Sequence, residues 1–121
     1  MQDDLQSAVG VIDDDPAVLD SFRFMLEVAG HRVLTFRSAL EFLAHTSDLP
    51  CCLILDQQMP DLTGLELVAR LRSDGIVLPI LLVTAWPSPA IVTRAAELGI
   101  EGVLEKPPGE GDILSFAAAY L

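Results

Sequence analysis

The chain has 121 residues, 51% of them apolar and 21% charged, and a net charge of −11. That balance belongs to one globular domain with a real core, and an acidic surface of this strength repels phosphate backbones and anionic lipid, which excludes direct nucleic-acid or membrane binding as its task. Two adjacent cysteines, Cys51 and Cys52, supply neither a disulfide framework nor a zinc site and read as buried packing in a reducing compartment.

Residues 1–7 are polar and read as a flexible N-terminal segment ahead of one domain over 8–121. No signal peptide and no membrane-length apolar run is present, so the expected location is cytoplasmic. Ala8–Ile12 is a short β-favouring run that ends at Asp13-Asp14-Asp15. Pro16 then opens a helix with Asp14 or Asp15 as N-cap, and Val18, Leu19, Phe22, Met25, Leu26 and Ala29 recur at helical spacing up to Gly30. His31–Phe36 reads as a second strand, and Ser38 caps a short helix with Ala39, Phe42 and Leu43 on its apolar stripe.

Cys51–Leu55 is a continuous apolar run, the pattern of a strand buried on both faces. It stops at Asp56, and Pro60 and Gly64 mark the turn that follows. A third helix starts near Leu65 with Leu67, Val68 and Leu71 inward and ends near Asp74-Gly75. Pro79–Val83 is a second wholly apolar strand, ending at Thr84-Ala85. After Trp86-Pro87-Ser88-Pro89 a helix over 89–98 carries Ile91, Val92, Ala95, Ala96 and Leu98. Gly102–Glu105 is a brief last strand before Lys106-Pro107-Pro108, and Asp112–Leu121 forms the final helix. Five strands alternating with five helices predict an α/β fold with a parallel, doubly wound sheet.

In a parallel sheet every strand delivers its carboxyl end to one edge, where ligands and chemistry gather. Asp13 and Asp14, Asp56, Thr84 and Lys106 all stand at strand ends and would therefore share one pocket. Alone, each has a plainer explanation: an N-cap acid, a turn aspartate, a β-branched strand residue, a solvated lysine. Their coincidence at one edge is the signal.

At these residues the chain resembles the receiver domain of two-component response regulators. The match runs from Val9 to Leu121 and rests on Asp13-Asp14, Leu55-Asp56 with Met59-Pro60-Asp61 and Gly64, Val83-Thr84-Ala85, and Glu105-Lys106-Pro107. The intervals from Asp56 to Thr84 and to Lys106 are similar to those in receivers of nitrogen-fixation-type helix-turn-helix transcription regulators. The resemblance implies a flavodoxin-like sheet of order 2-1-3-4-5, a phosphoryl group accepted from a sensor histidine kinase, homodimerisation through the 89–121 face, and an output domain that regulates transcription. It also implies that the chain is not an enzyme with an external substrate: its only chemistry is its own phosphorylation and dephosphorylation.

Clustered carboxylates raise one another's proton affinity, and a Mg2+ ion (or Mn2+ in its place) relieves that repulsion. Asp14 is expected as the more direct ligand and Asp13 as a mainly water-mediated one, with Asp56 and, as the resemblance implies, the Gln58 backbone carbonyl completing the set. Asp56 would be the nucleophile, Lys106 the phosphoryl counter-charge, and Thr84 a hydroxyl donor that moves toward the phosphoryl oxygens. The sequence departs from the family pattern at Val103, where receivers usually carry Tyr or Phe. Gln58 borders the path of hydrolytic water.

Other classes fit less well. A haloacid-dehalogenase-type phosphatase needs a second acid where Gln58 stands. An FMN binder would not place three aspartates in its phosphate loop. A degenerate docking receiver would lack a site residue, and none is missing. His31 and His45 are expected at the surface, Met25 and the Phe22/Phe24 pair in the packing, and Asp61 as a turn or cap residue. Trp86 is expected either beside the pocket or as an exposed loop aromatic.

Overall fold

Apolar runs without polar alternation become the inner strands. A computed structural model describes residues 8–120; the segment 1–7 and Leu121 lie outside the described residues, and with them the expected N-terminal segment and the end of the final helix. The strands are β1 (Ala8–Ile12), β2 (Arg32–Phe36), β3 (Cys52–Asp56), β4 (Ile80–Thr84) and β5 (Gly102–Glu105), all parallel, in the order β2-β1-β3-β4-β5. Between and after them run α1 (Pro16–Val28), α2 (Ala39–Leu43), α3 (Gly64–Ser73), α4 (Pro89–Glu97) and α5 (Glu110–Ala118).

Successive residues of each inner strand feed opposite layers, the consequence of a two-residue side-chain period. Leu53, Leu55, Ile80 and Leu82 join Phe42 of α2 and Leu67, Val68 and Leu71 of α3 in one cluster. Cys52, Ile54, Leu81 and Val83 join Leu19, Phe22 and Leu26 of α1 and Ile113 and Ala117 of α5 in the other. Both faces are covered, so β1, β3 and β4 are buried along their whole length.

Register brings the carboxyl ends level. Ile12 pairs with Leu55, Asp56 with Val83, and Thr84 with Glu105, so Asp13, Asp56, Thr84 and Lys106 follow one another along a single edge. β3 begins one residue later than expected and takes in Asp56. β4 is likewise displaced by one, because Pro79 offers only its carbonyl, which accepts from Leu53 N–H at 2.9 Å. α5 begins at Glu110, two residues before the expected start.

Three expectations are corrected. His31 is buried, not superficial, with 8% of its surface exposed. It follows Gly30, whose φ of +96° closes α1 in a Schellman turn, and its N–H returns to Leu26 O at 3.0 Å, which folds the side chain under the helix end. Phe24 is 72% exposed while Phe22 is buried, since two helical steps carry it round to the far side of α1. Cys51 is only half-buried, unlike Cys52; both are free thiols.

Candidate functional site

Each side chain at the carboxyl edge is fixed by the strand it terminates. The Asp13 N–H donates to Phe36 O at 3.1 Å, continuing the β1–β2 ladder by one residue. Its Oδ1 accepts from Asp15 N–H at 3.0 Å, and its Oδ2 accepts from Lys106 Nζ at 3.0 Å. Asp15 is the N-cap of α1, its carboxylate accepting from Ala17 N–H at 2.9 Å. Asp14 lies between them with its side chain exposed.

Asp56 is buried, and Lys106 Nζ stands 2.9 Å from its Oδ1. That charge-assisted contact is what holds the buried oxygen. Burial pushes the Asp56 carboxyl above its ordinary range. Lys106 opposes the rise, Asp13 reinforces it, and the Gln58 backbone N–H opposes it, with a net shift upward. Burial alone would pull the Lys106 ammonium down, but Asp56 and Asp13 outweigh it and hold its proton more tightly than in free lysine. The Lys106–Pro107 peptide is cis.

Carboxylate oxygens of Asp13, Asp14 and Asp56 lie within 4.8 Å of one another. Three acids face one ammonium, and two of the three are buried. An all-oxygen, net-negative set of this kind fits a hard divalent cation such as Mg2+. Asp13, Asp14, Asp56 and Lys106 are therefore brought together as expected.

Thr84 is at the same edge, with its hydroxyl engaged by the following loop. It is fully buried, and its Oγ1 accepts from Trp86 N–H at 3.2 Å, with no described bond to the acids. Trp86 is the exposed loop aromatic, at 78% exposure. The Gln58 side chain is exposed. Asp61 is a cap residue, but of a distant helix: its Oδ2 accepts from Leu40 N–H in the first turn of α2 at 2.9 Å. Burial raises the Asp61 carboxyl, while backbone N–H groups, Leu40's first, more than cancel it, so the net shift is downward.

Sequence reasoning passed over Gln57. Its backbone N–H donates to Val83 O, its carbonyl accepts from Gly64 N–H, and its buried Oε1 accepts from Leu65 N–H at 2.9 Å. The signal for it was an amide directly after a buried strand, where an unpaired polar group is costly. Gly64 is required by approach rather than by φ. A Cβ there would lie 2.7 Å from Leu82 Cδ1 and 2.8 Å from Asp56 O.

The family model for the response regulator receiver domain matches residues 9–118. The chain belongs to the response regulator receiver family. It is 39% identical over 98 residues to the transcriptional regulatory protein FixJ of Bradyrhizobium diazoefficiens, covering 80% of this chain and 48% of that one. It is 34% identical over 112 residues to the response regulator protein TmoT of Ectopseudomonas mendocina, covering 92% and 51%. Among solved structures, FixJ-N superposes with a TM-score of 0.83 at 30% identity, over 100% of this receiver and 98% of that chain. A CheY-like receiver from Methanospirillum hungatei superposes with a TM-score of 0.85 at 26% identity, over 93% and 90%. This receiver spans about half the length of the curated relatives it matches. Among the described residues no helix is long and apolar enough to cross a membrane.

Proposed function

We propose that this receiver takes a phosphoryl group from a sensor histidine kinase onto Asp56 and thereby changes the surface it offers to a partner. The observation that carries this is a buried aspartate ion-paired to a lysine and flanked by two further acids at the sheet edge. A carboxylate oxygen of Asp56 attacks phosphorus as the P–N bond of the phosphohistidine breaks, and the imidazole leaves with the electron pair.

Asp14, Asp13, Asp56 and the Gln58 backbone carbonyl would hold Mg2+ or Mn2+. That cation supplies charge neutralisation as the phosphoryl group transfers. Lys106, already protonated between Asp56 and Asp13, turns to the phosphoryl oxygens once Asp56 carries the acyl phosphate. Thr84 exchanges its present bond with Trp86 for one to the same oxygens, releasing the loop ahead of α4.

The readout is a homodimer through the 89–121 face, with transcription regulated by an output domain, in the cytoplasm. Val103 stands where receivers usually have an aromatic ring, so the loop itself must carry the change. The chain turns over no external substrate. Incubation with Mg2+ and acetyl phosphate should give one alkali-labile phosphoryl group per chain. Asp56→Asn should abolish it, and retention of the group in that variant would refute the assignment.

A further inference from the structure

Gln57 lies directly between the acceptor Asp56 and Gln58, and it makes three hydrogen bonds, one to the end of β4 and two to the start of α3. Its N–H donates to Val83 O at 3.0 Å, extending the β3–β4 ladder one residue past Asp56. Its carbonyl accepts from Gly64 N–H at 3.0 Å, closing the loop 57–64 on itself. Its side-chain Oε1 accepts from Leu65 N–H at 2.9 Å in the first turn of α3.

The helix start does not need that last bond for its own capping. Thr63 and Glu66 already form a reciprocal capping box, with Glu66 N–H donating to Thr63 Oγ1 and Thr63 N–H to Glu66 Oε1. What the amide adds is a strut from strand to helix across the loop. Space for it exists because residue 64 is glycine: a Cβ there would come 3.1 Å from Gln57 Oε1.

A peptide unit is planar, so fixing the Gln57 carbonyl also fixes the direction of the Gln58 N–H on the same plane. We propose that Gln57 is a positioning residue whose side-chain amide, bridging from the end of β3 to Leu65 of α3, fixes where the chain enters Gln58 and so steadies the backbone beside the divalent-cation site. The inference rests on the phosphoacceptor reading above, in which the Gln58 carbonyl is a cation ligand.

The test is Mn2+ titration calorimetry on the unphosphorylated full chain, alongside urea unfolding and amide exchange at Leu65. Gln57→Met keeps the bulk and removes the acceptor; it should speed exchange at Leu65 and weaken Mn2+ binding about ten-fold, the scale for a lost outer-shell bond. Gln57→Glu restores an acceptor at the same reach and should bind Mn2+ at least as tightly as wild type. A merely structural role would lower the urea midpoint and leave Mn2+ affinity alone. If Gln57→Met does not fold, Gln57→Asn, one methylene too short to reach Leu65, takes its place in the same titration. Wild-type affinity in the acceptor-less variant, or a Gln57→Glu as weak as Gln57→Met, overturns the inference alone. A wild-type chain that takes up no Mn2+ overturns the phosphoacceptor reading with it.

Discussion

β3 and β5 lie two places apart in the sheet and bring Asp56 and Lys106 together at its edge, yet they are held very differently. All five residues of β3 are buried, and the helix after it buries Gly64, Leu67, Val68 and Leu71 behind a complete capping box. β5 has no fully buried residue, and α4 before it buries only Ala95. α4 is fastened mainly at its C-terminal end, where the Arg72 guanidinium donates to Leu98 O at 2.9 Å while also binding Ile76 O and Leu78 O. The nucleophile candidate thus sits on the rigid side, and Lys106 hangs from the looser one. Thr84 lies on the boundary, bonded to the loop that leads into α4. A new charge at Asp56 would leave β3 where it is and shift the flank that has least to lose.

The sharpest way to break this contrast is truncation. Leu82→Ala, in the fully buried inner sheet, should lower unfolding free energy by about 2–5 kcal/mol in urea titrations. Val103→Ala, on half-buried β5, should cost about 1 kcal/mol or less. Equal losses would mean that the two strands are equally rigid.

Metal supply comes next. At a hundred-fold excess over its dissociation constant, Mg2+ should stabilise the wild type by about 2.7 kcal/mol, and Asp14→Asn should remove most of that gain. Thermal melts with and without EDTA read the difference.

Gly64→Ala should destabilise by about 1–3 kcal/mol, because the added methyl meets backbone as well as Leu82. The loss should appear together with slower phosphoryl uptake.

Asp56→Asn should raise stability by about 1 kcal/mol, since it removes a buried charge from an acid-rich cluster. The pH dependence has a definite sign. The folded Asp56 carboxyl lies above its unfolded value, so the folded state binds the proton more tightly and this group's contribution falls as pH rises through that interval. Asp61 runs the other way: its folded value is depressed, so its contribution is present above the ordinary carboxyl range and is lost as pH falls through the folded value. Urea midpoints of Asp56→Asn and Asp61→Asn between pH 3 and pH 7 should therefore diverge from wild type in opposite directions.

Much of this was legible in the chain because strands buried on both faces write themselves as unbroken apolar runs. Leu53–Leu55 and Ile80–Val83 could hardly be anything else, and a parallel sheet then forces Asp13, Asp56, Thr84 and Lys106 to one edge. Asp61 reads as a cap from its residue type, but its partner Leu40 lies 21 residues back, a distance no local pattern encodes. The burial of His31 depends on how the turn after Gly30 directs the chain, and the exposure of Phe24 depends on a two-step rotation about α1. Gln57 stayed hidden because its worth lies in a donor at Leu65, across a loop whose closure only coordinates reveal. Thr84 was placed correctly along the edge, while the loop bond that turns its hydroxyl toward Trp86 has no sequence signature.

The most direct measurement is the amide NMR response of the Mg2+-loaded chain to beryllofluoride, a phosphoryl mimic that bonds to an aspartate carboxylate. Shifts should begin at residues 13, 14, 56–58 and 106 and then spread into 84–105, leaving Leu53–Leu55 and the body of α3 in place, with no response in Asp56→Asn. A response that spreads through β3 and α3 while 84–105 stays still, or one that survives in Asp56→Asn, would contradict the account.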